Sequence, residues 1–107
     1  MSLHQEMSTV DSDVQAVYAA LDAYKASHPD AQIQSYRQNS VSIRIRIIDP
    51  HFLGKDRALR HDEIWNILER LPEDVQSQLT VLLLLTPEET KTSFANMDFE
   101  NPIPSNL

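Results

Sequence analysis

Residues 41–49 read VSIRIRIID. Val41, Ile43, Ile45 and Ile47 alternate with Ser42, Arg44 and Arg46, which is the two-residue period of a strand with one apolar and one polar face. The apolar face of such a strand must be covered, and only other parts of the same chain can cover it. Upstream, AQIQSYRQ reads as a second strand, joined to the first through a turn at Asn39 and Ser40. Downstream, LTVLLLLT is apolar on both faces. A helix intervenes before it, so it is expected to run parallel to VSIRIRIID.

The cover comes from helices. In STVDSDVQAVYAALDAYKASHPD, Val14, Val17, Tyr18, Leu21 and Tyr24 recur at three- and four-residue steps and share a face, and Pro29 stops the helix. In LRHDEIWNILERL, Ile64, Ile67, Leu68 and Leu71 point inward. Pro72 opens a further short turn of helix, and a short helix is expected near residues 88–94. The order defines an α+β fold with a three-stranded mixed sheet and helices packed on one face. At 107 residues this is one domain. It is expected over residues 11–100, with a flexible stretch at 1–10 and a frayed tail at 101–107.

Composition removes several functions. With no cysteine there is no disulfide, thiolate ligand or thiol nucleophile, and with one glycine there is no glycine-rich phosphate loop. The four histidines show no i, i+4 metal spacing, so no metal ligand is assigned. Asp62 and Glu63 open a helix, where carboxylates suit the positive end of the dipole better than they suggest an acid/base pair. No enzyme activity and no cofactor are expected. The N-terminus lacks a signal-peptide core and the longest apolar run, Val81 to Leu85, is too short for a membrane span, so a cytoplasmic protein without membrane contact is expected.

Charge is uneven. The chain carries −7, yet Arg37, Arg44, Arg46, Lys55, Arg57 and Arg60, set against Asp49 and Asp56, make residues 37–60 basic. Such a segment can mark a docking surface. The stretch DPHFLGKDRALRHDEIW, Asp49 to Trp65, overlaps its end and holds the single glycine, Gly54, which is expected to supply a backbone conformation that a side chain would penalise.

Phe52, Gly54, Arg60, His61, Ile64 and Trp65 stand in an aromatic-x-Gly, Arg-His, aliphatic-aromatic spacing that resembles the BolA family of small α+β proteins. SYRQN at 35–39, VLLLLT at 81–86 and FENP at 99–102 extend the resemblance over nearly the whole chain. It implies a class II KH-like fold without the GXXG backbone clamp of RNA-binding KH domains. It also implies a non-enzymatic role in iron–sulfur or stress-related regulation, with a monothiol glutaredoxin as partner. The family's shared cluster uses a histidine leading the last strand and a His or Cys in the hairpin loop. Here those places hold Thr80 and the pair Gln38 and Asn39, which are poor iron ligands.

Three readings follow. The first is a protein-interaction module whose partner binds Arg44, Arg46, Lys55, Arg57, Arg60, His61 and Trp65, with His61 itself packed against the sheet or loop. The second is a KH-like nucleic-acid-binding regulator using the basic 37–60 segment. The third is a homo-oligomer formed through Val81 to Leu85 as an exposed strand edge.

Overall fold

The computed structural model describes residues 11–102. The expectations for residues 1–10 and for the end of the tail at 103–107 lie outside the described residues. The first helix is divided in two, α1 at Ser12–Ala20 and α2 at Asp22–Ser27. Asp11 caps α1, its carboxylate accepting from the Asp13 and Val14 N–H groups at 3.1 Å each. The break falls at Leu21. Val17, Leu21 and Tyr24 are buried as expected, but Tyr18 is 41% exposed. Its hydroxyl serves the edge of the sheet instead, accepting from Ser35 N at 2.7 Å and donating to Ser35 O at 3.1 Å.

Strands β1 (Gln32–Asn39) and β2 (Ser42–Ile48) form the antiparallel hairpin, with Ser35 opposite Ile45 and Tyr36 opposite Arg44. Helices α3 (Arg57–Leu68) and α4 (Glu73–Gln76) then lead to β3 (Leu79–Leu85), which pairs parallel to β2 in the order β1-β2-β3. One face of the sheet carries Ile43, Ile45 and Ile47, all with no exposed surface, and Leu82 and Leu84 beside them. Val17, Leu21 and Tyr24 of the first helices and Ile64 and Leu68 of α3 close that face into the core. Val41 does not join it. It lies in the turn and is 57% exposed, its N–H held by the Asn39 side chain at 2.9 Å.

The fold class is the expected α+β sheet with helices, but one helix lies on the face thought to be open. Residues 88–94 do not make the expected short helix. Glu88–Lys91 is a single 3₁₀ turn, and the helix α5 runs Phe94–Glu100, with Ser93 accepting from Asn96 N at 3.0 Å as its cap. Phe99 of α5 packs against Tyr36, ring centroids 4.8 Å apart, and under the Arg46 guanidinium at 4.8 Å. Tyr36, Arg44 and Arg46 share the polar face of the hairpin, so α5 covers the side opposite the core. No helix among the described residues is long and apolar enough to cross a membrane.

Candidate docking groove and a histidine cluster

Of the arginines of the basic segment, Arg37, Arg44, Arg46 and Arg60 meet partners within the protein and Arg57 is exposed. Arg44 Nη1 donates to Asp98 Oδ2 at 2.9 Å. Arg46, 5% exposed, donates to Asn96 Oδ1 at 2.7 Å and to Glu100 Oε2 at 2.9 Å. Arg37 pairs with Asp11 and lies 3.5 Å from Asp13. Arg60, 7% exposed, makes a two-toothed pair with Glu89 at 2.7 and 3.1 Å and donates to the Leu84 and Lys55 carbonyls at 3.0 and 2.8 Å. Arg44, Arg46 and Arg60, read from the sequence as partner-facing cations, each have an anionic partner within the chain. A guanidinium at the polar face of a covered sheet needs anions, and α5 and the segment before it bring them. The pairing with Arg60 drives the Glu89 carboxyl down to about 2, against the smaller opposing effect of burial. The same pairing removes most of the free positive charge that a nucleic-acid surface needs.

Lys55, Arg57, His61 and Trp65 remain at or near the surface. Arg57 begins α3 behind its cap Asp56, whose carboxylate accepts from Leu59 N at 2.9 Å. His61 is exposed rather than buried against the sheet. Its ring stacks on Trp65 one turn further along, centroids 6.0 Å apart at 19°. Trp65 is half-buried at the rim of the core. Phe52 is fully buried, and Gly54 takes φ +81°, the left-handed conformation that turns the loop from Phe52 toward α3.

Of these residues Lys55, Arg57 and His61 border an open groove of about 1040 Å³, and Trp65, Phe52 and Gly54 do not line it. One wall is the start of α3 with Lys55, Arg57 and His61, the floor is β3 from Leu82 to Leu85, and the far wall is the start of α5. Phe94 stands on that far wall with 84% of its surface exposed. Among the described residues β3 has no strand on its outer side. Of the positions that the resemblance assigns to a cluster, Thr80 near the start of β3 hydrogen-bonds Ser42 at the start of β2 through their hydroxyls, and Gln38 and Asn39 lie at the hairpin end of β1. The donors there are hydroxyls and amides, which do not fit an iron–sulfur cluster.

A second constellation was not legible in the sequence. His28 from the end of α2, His51 from the 3₁₀ turn Pro50–Phe52 and Glu63 from α3 each place a ligand atom within 4.8 Å of the others. Behind them lies Asp49, 2% exposed, which accepts from the Tyr24 hydroxyl at 2.6 Å and from His51 N at 2.9 Å. Burial, with Asp49 and Glu63 adding to it, pushes the Tyr24 phenol far above its usual range. Glu63 sits at 2.8 Å from His51 Nε2 and 3.3 Å from Lys55 Nζ. Burial alone would raise its pKa, but these two neighbours outweigh it and hold the carboxyl below the ordinary value.

A hairpin, a helical connection and a parallel third strand define a small α+β fold. The solved structure of BolA1 from Arabidopsis thaliana has this arrangement: it superposes with a TM-score of 0.53 at 16% identity, covering 75% of this chain and 98% of that one. The BolA domain of SufE1 from Arabidopsis thaliana matches at a TM-score of 0.48 and 18% identity, with the same coverage of 75% and 98%. No family model matches the sequence, and no curated protein sequence does. The fold is BolA-like, as the motif spacing implied.

Proposed function

We propose that this chain is a non-enzymatic BolA-type interaction module that docks a protein partner in the groove between α3, β3 and α5. The observation that carries the reading is Phe94. A phenylalanine 84% exposed, beside a strand edge that no described strand pairs, offers a large apolar anchor. Arg57 and His61 rim the opposite wall and supply polar contacts around that anchor.

A monothiol glutaredoxin is the first partner to test, on the strength of the BolA-like fold and motif. Docking here does not depend on a shared cluster, because Thr80 and the pair Gln38 and Asn39 stand where imidazole or thiolate is needed. Cytoplasmic regulation linked to iron or stress is the cellular role that would follow.

Calorimetric titration of a cluster-free monothiol glutaredoxin tests the reading. The wild-type protein is expected to bind stoichiometrically. Phe94→Ala is expected to weaken binding about tenfold or more and Arg57→Glu to weaken it less. Full affinity in both variants would remove the groove from the account, and no heat with the wild type would remove this partner.

A further inference from the structure

We infer that His28, His51 and Glu63 form a site for a borderline divalent cation such as Zn²⁺, which enters by displacing the Lys55 ammonium. The two nitrogens and one carboxylate oxygen are the donor set such ions take, and three protein ligands leave a fourth position for water. The inference does not rest on the proposed docking of a partner, although Lys55 also borders that groove.

Both imidazoles are oriented before any ion arrives. His28 Nδ1 lies 3.0 Å from the Tyr24 carbonyl oxygen, which can only accept, so the proton sits on Nδ1 and the Nε2 lone pair is free. The ring also stacks on Tyr24, centroids 4.1 Å apart at 16°. Tyr24 in turn is tied through its hydroxyl to Asp49, and the other oxygen of Asp49 fixes the backbone of His51. A single buried carboxylate therefore anchors the supports of both histidines, whose rings lie 4.4 Å apart.

His51 Nε2 faces two incompatible neighbours. Lys55 Nζ at 2.7 Å donates and needs the nitrogen's lone pair, while Glu63 Oε2 at 2.8 Å accepts and needs its proton. A neutral imidazole nitrogen serves one of them at a time. A cation satisfies the lone pair and the carboxylate together. The ammonium already occupies a cation's place between His51 and Glu63, on a flexible side chain one-third exposed that can swing into solvent. Bonds of about 2.0–2.2 Å around a tetrahedral ion require the ligand atoms to close to roughly 3.3 Å of one another, a movement within reach of side chains at the surface.

The test adds Zn²⁺, or Co²⁺ as its spectroscopic substitute, to the tag-free full chain. One equivalent is expected to bind by calorimetry, and Co²⁺ is expected to give the intense visible bands of a tetrahedral site, erased by Zn²⁺. His51→Ala and Glu63→Gln are expected to weaken binding by about 10- to 100-fold while the circular dichroism spectrum stays that of the folded protein. Lys55→Met is expected to tighten it, an effect that loss of a merely structural ion pair would not produce. Absence of saturable binding below about 1 mM, or affinity unchanged in both His51→Ala and Glu63→Gln, overturns the site.

Discussion

The two faces of the sheet are closed by different physics. On one, Ile45 and Ile47 pack in one apolar cluster with Val17, Leu21, Ile64 and Leu68, and Ile43 is buried on the same side of β2. On the other, Tyr36, Arg44 and Arg46 meet Asp98, Asn96, Glu100 and Phe99 of α5 through ion pairs, hydrogen bonds and one aromatic contact. The apolar face gains from every buried methylene. The polar face gains little net from its partly exposed carboxylates, 45% and 54% exposed at Asp98 and Glu100, because water competes for them. The first face is thus the stable half of the molecule, and the second is a cover held by a few directional contacts.

Ile45→Ala is the largest break. It opens a cavity at the centre of the core face and is expected to cost about 2–5 kcal/mol in chemical denaturation. Arg46→Met keeps the stem but leaves Asn96 and Glu100 without their donor, with an expected cost of about 1–3 kcal/mol. Hydrogen exchange should place its main effect in α5, with the amides of β2 keeping their protection. Equal loss of protection in β2 and α5 would mean that the two faces are one cooperative unit and the contrast is false.

Gly54→Ala probes the link that carries the chain from the sheet to α3. No atom lies within 4 Å of an added Cβ, so the φ of +81° is the only penalty, expected at about 1–2 kcal/mol. The smallest effect concerns pH. The folded protein holds Glu89 as an anion down to about 2, below its ordinary value of 4.5, so its contribution is complete above pH 4.5 and fades as the pH falls toward 2. Glu89→Gln should flatten the acid limb of stability over that window, and an unchanged limb would show that solvent screens the pair entirely.

The same contrast separates what the sequence disclosed from what it hid. The core face was legible because burying one side of a strand imposes a two-residue period, and Ile43, Ile45 and Ile47 obey it. Tyr18 and Val41 fit the apolar pattern but not the structure, since a phenol can satisfy Ser35 and a valine can sit in a turn. The cover on the other face was not legible. Ion pairs between residues more than 50 positions apart, such as Arg46 with Glu100, leave no periodicity, and an arginine in a strand reads as solvent-facing until its acid is found. The groove residues Phe94 and Glu89 lie in a segment whose helix starts later than expected. The histidine cluster draws on three elements, so no spacing announces it.

The central claim is that a partner docks along α3, the edge of β3 and the start of α5. The measurement that tests it most directly is an NMR titration of the isotope-labelled protein with unlabelled, cluster-free monothiol glutaredoxin. The account expects amide shifts concentrated in residues 55–65, 82–85 and 92–95, with α1 unmoved. Shifts confined to the hairpin or to α1, or none at stoichiometric partner, would contradict it.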